Sequence, residues 1–232
     1  GKVSADRVVI ATNAFDPVLK KIRRYVIPVY DHVLVSEPLS GPQLGSLNWL
    51  NRQGIGDSGN QFHYYRLTRE NRILWGGYDA HYHFGNRMGP KVESNDQTCD
   101  LLAGHFFETF PQLEGLSFTH KWSGPIGTTT RFSCSWGSSH DGQVSWAVGY
   151  TGLGVGASRF GAQVALDLVD GVDTERVELE MVRKNPFPFP PEPFRWLGVQ
   201  ITSSMMKRSD RNEGRRGLGL KLLDRFGIGF DS

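Results

Sequence analysis

Apolar positions along the chain follow two periods, and the places where one gives way to the other mark out its elements. Val8-Val-Ile-Ala-Thr-Asn-Ala14 is a continuous apolar run ending in small residues, the pattern of a parallel strand buried on both faces. The C-terminal ends of such strands face ligands in open α/β sheets, which makes Ala11, Thr12 and Asn13 candidates to meet one. An ordinary core strand fits the run as well. Pro17 to Arg24 reads as a short basic helix with its cations in solvent. Val26 to Glu37 is rich in β-branched residues and reads as one long strand, or two broken near Asp31. Loops follow over 38–42 and 54–60. Residues 61–68 and 72–77 then flank the polar Arg69-Glu-Asn-Arg72, a hairpin signal. Tyr64 and Tyr65 must point to opposite faces of that hairpin, so one of them is free to line a pocket.

The period then lengthens. Leu102, Phe106 and Phe110 form a stripe at steps of four, with Ser94 or Asn95 as N-cap and Pro111 as the stop. Leu116 to Thr130 returns to strand character. Asp141-Gly142 turns the chain into a short strand at Val144-Ser-Trp-Ala-Val148. Gly149-Tyr-Thr-Gly-Leu-Gly-Val-Gly156 comes next, and the helical stripe Leu153, Ala157, Phe160, Val164 and Leu168 follows it. Gly154, Ser158, Gly161 and Ala165 give this helix a second face almost free of side-chain bulk. A sheet or a flat ligand can approach the backbone closely there. The unit is strand, glycine-rich turn, helix, and its helix start offers free N–H groups and partial positive charge to an anion or anionic ring. A turn used only for tight helix–sheet packing accounts for the stretch about equally well.

Gly152-x-Gly154-x-x-Ala157 also satisfies a dinucleotide-binding pattern, which requires a second strand soon after the helix. Val177-Glu-Leu-Glu-Met-Val182 alternates and is the candidate for that strand, but the prolines of Asn185 to Pro193 end any sheet. The segment is therefore expected to close a nucleotide-binding domain begun elsewhere.

Composition narrows the chemistry. At 232 residues, with 38% hydrophobic and 12% aromatic content, the chain has enough apolar side chains for a core. A formal net charge of +2 gives no reason to expect nucleic acid as a partner. Cys99 and Cys134 lack C-x-x-C spacing, which argues against a disulfide framework or a zinc site and makes a cytoplasmic location the expectation. His81 and His83 face one side of an extended stretch, but no further ligand sits at a convincing spacing, and no metal is expected. No apolar run approaches the ~18 residues of a membrane span. Arg131, after Thr128-Thr-Thr130, is either a bidentate clamp for a carboxylate or a surface arginine at a strand end. Cys134 reads as a small core residue. Between Arg195 and Arg225 eight Lys/Arg stand against three Asp/Glu, with Leu218, Leu222, Leu223 and Phe226 as an apolar side. Such a tail is expected to pack its apolar side on its own protein. Contact with an anionic membrane surface is the weaker reading.

Taken together, these pieces resemble the C-terminal half of the D-amino-acid oxidase superfamily of FAD-dependent oxidoreductases, which includes glycine, sarcosine and gamma-glutamylputrescine oxidases. Three markers carry the resemblance in order: Val8 to Ala14, Trp122-Ser-Gly124 with the Thr-rich run to Arg131, and Gly149 to Gly156 with its helix. The resemblance implies an α+β fold: an α/β nucleotide-binding part, incomplete here, plus a mixed, largely antiparallel substrate sheet. The expected division is residues 1–25 leaving the FAD-binding domain, 26–120 binding substrate, 121–172 returning to the FAD-binding domain, and 173–232 a Pro-rich connector and basic tail. The implied FAD contacts are Ala11, Thr12, Asn13, Gly124, Tyr150, Thr151, Gly152, Leu153, Gly154 and Val155. Tyr64, Tyr65, Trp122 and Arg131 are the substrate candidates, and no catalytic side chain is assigned.

The implied activity is oxidation of a C–N bond of an amine or amino acid, with a hydride equivalent passing to flavin N5. It belongs to a complete protein that also carries an N-terminal FAD-binding half, and this chain alone is expected not to hold FAD tightly. Two departures matter. Several relatives have T-P-D where this chain reads Thr130-Arg-Phe132, which removes a guide to the substrate. Sarcosine oxidases attach flavin through a cysteine, and Cys134 lies too near the closing segment to match it, so noncovalent FAD is expected. The alternatives are an NAD-binding Rossmann protein using Gly152 to Ala157, or a non-catalytic interaction module with a membrane-surface tail.

Overall fold

The computed structural model of the protein describes residues 1–226 and 228. In chain order the elements are β1 (Val8–Ile10), β2 (Ile27–Ser36), α1 (Gly41–Leu47), β3 (Ile55–Gly56), β4 (His63–Leu67), β5 (Ile73–Gly77) and β6 (His81–Tyr82). Then come α2 (Pro90–Glu93), α3 (Asp96–Thr109), β7 (Phe118–Thr128), β8 (Ser135–Ser139) and β9 (Val144–Val148). The chain continues through α4 (Gly154–Asp170), α5 (Glu175–Glu178), α6 (Glu180–Arg183), α7 (Phe194–Arg211) and α8 (Leu218–Arg225).

Two sheets result. The larger has six strands, in which β7 pairs with β2 over almost its whole length, from Ile27↔Thr128 to Ser36↔Phe118. A strand has only two edges, so β5 and β6 share the other edge of β2, at Val33–Val35 and at Val29–Tyr30 respectively. β4 and β3 extend the sheet beyond β5. The smaller sheet has the order β1-β9-β8, with β1 parallel to β9 and β8 antiparallel to it. Mixed α and β content with a largely antiparallel main sheet is the expected class.

Side chains directly opposite one another on antiparallel strands share a face, which sorts the large sheet. Leu34, Trp75 and Tyr65 lie on the face covered by α3, where Leu102 and Phe106 complete a core with Ile73, Leu67 and Leu113. Asn95 caps α3, its Oδ1 accepting from Thr98 N at 3.2 Å, and the expected stripe faces inward. The opposite face carries Asp31, Val33, Tyr64, Gly76, Trp122, Gly124 and Ile126. The small sheet packs Cys134, Trp136 and Ala147 on Val164 and Ala165 of α4, and places Ile10, Trp146 and Val148 on its other side against Ile22 and Val26.

Several local expectations are corrected. Of the two readings of 26–37, the single long strand holds: β2 runs unbroken through Asp31, paired there with Gly124 of β7. The others change. Residues 17–24 yield only one 3₁₀ turn, Ile22–Arg24. The loop expected over 38–42 contains the start of α1, whose N-cap Ser40 forms a reciprocal capping box with Gln43. The loop over 54–60 contributes the two-residue β3. Residues 177–182 are not a strand: they form parts of α5 and α6, and Val177 and Val182 are buried. Val182 packs on Cys134 and Trp136 of the small sheet, while Leu179 and Met181 of the alternating set are exposed.

The tail docks by polar contacts, contrary to the apolar packing expected of it. The Asp210 carboxylate accepts from the backbone N–H groups of Asn60 and Gln61 at 2.8 and 2.9 Å. Lys207 pairs with Asp79 at 2.6 Å, and Glu192 accepts from the Tyr82 hydroxyl at 2.5 Å. Leu218, Leu222 and Phe226 point outward, and Leu220 is the buried residue of α8. Among the described residues no helix is long and apolar enough to cross a membrane.

Phe106 is fully buried and meets the Trp75 ring edge-on at 5.7 Å. Phe106→Ala is expected to cost about 3–5 kcal/mol, measured by urea denaturation followed through tryptophan fluorescence.

Candidate functional site

The ends of three strands converge on the loop between β9 and α4. Asn13, just past β1, adopts a left-handed conformation (φ 48°) that its short amide side chain tolerates. Its Oδ1 accepts from the N–H of Gly149 at 3.1 Å and of Tyr150 at 3.4 Å. Thr151 N donates to the Gly127 carbonyl near the end of β7 at 2.8 Å, and Thr151 Oγ1 accepts from Thr129 N at 3.3 Å. Side chain and backbone thus tie β1 and β7 to the closing loop. Asn13 and Thr151 therefore shape the loop, whatever else they touch.

The loop delivers α4 with its N-terminus open. No side chain caps it and no acidic residue lies in its first turn. Gly152, Leu153, Val155 and Gly156 are exposed, Val155 fully. A Cβ built on Gly152 would lie 4.0 Å from Ile126 Cδ1, so the loop abuts the face of the large sheet opposite α3, the uncovered face, so called because α3 does not cover it. The bulk-free side of α4 has an occupant the sequence did not indicate. Tyr150 folds its own ring against it, and a Cβ on Gly161 would stand 2.1 Å from the Tyr150 hydroxyl. The Ala165 carbonyl on the same side accepts from Ser145 of β9 at 2.7 Å. Close packing therefore uses Gly161 and Ala165, and the open helix start leaves room for a ligand. At the end of β1, Thr12 Oγ1 is buried without a partner. An orphaned hydroxyl and an uncapped helix start are what an absent polar cofactor would satisfy.

The four substrate candidates separate. Tyr64 and Trp122 share the uncovered face, together with Gly124. Tyr65 sits in the core, between Trp49, Trp75 and Phe110. Arg131 is corrected as a carboxylate clamp. Its guanidinium donates to the carbonyls of Lys184, Cys134 and Met181 at 2.8–2.9 Å and to Ser133 Oγ at 3.0 Å, stapling the end of α6 to the loop before β8. Five-donor arginine serves this role well, because the carbonyls of a short helix end need partners.

One residue at the site escaped the sequence reading. Asp31 lies on the uncovered face opposite Gly124 and accepts from the Tyr64 hydroxyl at 2.7 Å and from His32 N at 2.9 Å. Burial raises its pKa, against the opposing effect of the Tyr64 hydrogen bond, and burial beside Asp31 also raises that of Tyr64. The available signal was a lone acid inside a β-branched strand. A cleft of ≈ 350 Å³, lined by His32, Glu93, Cys99, Lys121 and Trp122, lies by α2 and the start of α3 and does not include Tyr64. Among the described residues no group of His, Cys, Asp and Glu is placed to hold a metal.

Comparison with known proteins decides the family. The model described as "DAO: FAD dependent oxidoreductase" matches residues 1–168. The chain belongs to this family. It is 30% identical over 192 residues to gamma-glutamylputrescine oxidoreductase of Escherichia coli, covering 82% of this chain and 42% of that protein. It is 28% identical over 187 residues to the probable oxidoreductase OrdL of Haemophilus influenzae, covering 76% and 38%. L-proline dehydrogenase from P. horikoshii matches with a TM-score of 0.58 at 19% identity, over 74% of this chain and 45% of that one. Glycine oxidase from Geobacillus kaustophilus gives 0.56 at 18%, over 74% and 43%. These two solved structures speak for the fold of the DAO family. The chain spans about two-fifths of the length of the curated relatives it matches. The Rossmann alternative loses its support, because the described chain after α4 contains helices and no strand to complete a βαβ unit.

Gly161→Ala is expected to destabilise the protein by about 1–3 kcal/mol, and Tyr150→Phe in the same chain to restore part of it. A double-mutant cycle of thermal midpoints measures this. Arg131→Ala is expected to lower the thermal midpoint by several degrees and to leave substrate KM of the complete enzyme unchanged.

Proposed function

We propose that the complete protein is an FAD-dependent enzyme that oxidises a C–N bond of an amine or amino acid. The observation that carries this reading is the open N-terminus of α4, set against the Ile126 end of the uncovered sheet face. FAD, when bound, would supply the two-electron oxidation, a hydride equivalent passing from the α-carbon to N5. The loop Tyr150 to Val155 would hold the edge of the ring where negative charge gathers, with amides and helix dipole doing the stabilising. Ala11, Thr12 and Asn13 would border it from the end of β1. Gly124, Trp122 and Tyr64 would form the wall across from it, orienting substrate and excluding water. Membership of the DAO family and a relative named for an amine substrate support the assignment.

Noncovalent FAD is part of the proposal. Burial pushes the Cys134 thiol up to about 12, and Cys99 lies on α3, across the sheet from Tyr64, with its pKa also raised by burial. Neither is poised to form a thioether. We also propose that an N-terminal FAD-binding half pairs with the chain along β1. Val8 and Val9 are 44% and 42% exposed there, and only one edge of β1 is paired among the described residues. A cytoplasmic location completes the reading.

The test is the visible spectrum of the purified complete protein. Bands near roughly 370 and 450 nm that bleach anaerobically with an amine or amino acid are expected, and they should be weak or absent in this chain alone. A colourless complete protein that takes up no added FAD would sink the proposal. Gly154→Val is expected to abolish FAD retention without unfolding the protein. The first added carbon meets only ordinary contacts, 3.5 Å from Tyr150 Cβ, while the branched side chain crowds the helix amides.

A further inference from the structure

Among the described strand residues, the face of the large sheet opposite α3 has one carboxylate, Asp31, and Glu192 of the tail reaches the same face at Tyr82. Along β2 its residues are Val29, Asp31, Val33 and Val35, and along β7 they are His120, Trp122, Gly124 and Ile126. β5 adds Leu74 and Gly76, β4 adds Tyr64 and Arg66, and β6 adds Tyr82. Three features converge on Asp31. First, Gly76 clears a path between β4 and β2. A Cβ there would stand 2.8 Å from the Tyr64 phenol, so only its absence lets Tyr64 reach across β5 to Asp31. Second, Gly124 lies directly opposite Asp31, and a Cβ on it would meet nothing within 4 Å, so the floor beside the carboxylate is open. Third, Trp122 stands at the diagonal position, about 7–8 Å away in a regular ladder, and is 48% exposed.

The charge of this place is unbalanced. The Asp31 oxygens accept from the Tyr64 phenol and from the backbone N–H groups of His32 and Gly77, and no lysine, arginine or histidine among the described residues is paired with them. A carboxylate has about four lone-pair sites, so acceptor capacity is left. Arg66 is two rows further along the strands and two strands across, and Arg195 of the tail is engaged with Tyr82. Arg131 is bound to carbonyls in the other sheet. A half-buried carboxylate beside an exposed indole and an open floor suits a cation with N–H donors, which gains both hydrogen bonds and ring contact. A carboxylate at the same place would be repelled.

We infer that Asp31 docks an alkylammonium centre of the substrate over Gly124 and beside Trp122, so that the substrate is an amine cationic at that position. The inference rests on the proposal that this is the substrate face of a flavoenzyme. It narrows the substrate class from amines and amino acids to molecules presenting an ammonium group here.

The test is titration calorimetry on the complete protein, with and without added FAD, using butylamine hydrochloride and sodium butyrate as probes of equal chain length and opposite charge. Wild-type protein is expected to bind butylammonium more tightly than butyrate. Asp31→Asn keeps the shape and can still bond both Tyr64 and His32 N. It is expected to weaken butylammonium binding about ten- to hundredfold and to leave butyrate unaffected or improved. Gly124→Val, whose first added carbon meets nothing within 4 Å, is expected to weaken butylammonium at least about tenfold and does not depend on how Asp31→Asn folds. Butylammonium affinity within twofold of wild type in both variants would overturn the inference, as would tighter binding of butyrate by the wild type. A protein that takes up no FAD yet binds butylammonium through Asp31 would sink the flavin reading and keep this one. A yellow protein indifferent to Asp31→Asn would do the reverse.

Discussion

The ladder between β2 and β7 sets the geometry on which the rest of the structure depends. Nine consecutive pairs from Ile27↔Thr128 to Val35↔His120, and a tenth, Ser36↔Phe118, beyond a bulge, make these two strands one stiff unit. One end builds the wall that carries Asp31, Trp122 and Gly124. The other hands the chain to the closing loop, through the Gly127 carbonyl and Thr129 N. Because side chains alternate strictly along a strand, a slip of one residue would exchange Trp122 for Ser123 and Asp31 for His32 on the uncovered face. The packing of Leu34 and Trp75 against α3 prevents that slip, since the same shift would turn those residues out of the core. Register, core and site are thus fixed by one pairing.

The closing loop is the second constraint, and it is built from backbone groups more than side chains. Asn13 satisfies two N–H groups that would otherwise be orphaned at the turn. The first turn of α4 has no such help. α1 and α3 are capped by their own N-cap side chains; α4, like α2, α5, α6, α7 and α8, has no N-cap side-chain bond, and what sets it apart is that its start abuts the Ile126 end of the large sheet. Tyr150 fills the small-residue side of α4, which keeps the helix close to the sheet while its first amides stay exposed. The family is FAD dependent, and this helix start is where the proposed function places the cofactor.

The tail shows why charge count and amphipathic pattern are poor guides to packing by themselves. Leu218, Leu222, Leu223 and Phe226 read as an inward side, yet Leu220 is buried and three of those four are exposed or point outward. The decisive groups were acids, Asp210 and Glu192, each accepting from loop N–H groups of the large sheet's end. Loop amides have no pattern in sequence. Their need for acceptors appears only when the chain has folded.

The sequence by itself determined the elements whose signals are local and repeated. The strand at Val144–Val148, the hairpin around Arg69 to Arg72, the Asn95-capped helix and the glycine-rich start of α4 were legible because period, caps and turn residues are short-range properties of the chain. The family markers were legible for the same reason. Only the tertiary structure decided which tyrosine of Tyr64 and Tyr65 faces the site, because alternation fixes that they differ and packing against α3 fixes which goes where. Only it showed Arg131 bound to the carbonyls of α6 instead of free for a substrate, and 177–182 helical instead of strand. It alone brought Asp31 to Tyr64, across a Gly76 whose significance lies in a side chain it does not have. Those are contacts between residues from 33 to about 50 positions apart, and their energies depend on burial and on which neighbours are absent, which no local window of sequence records.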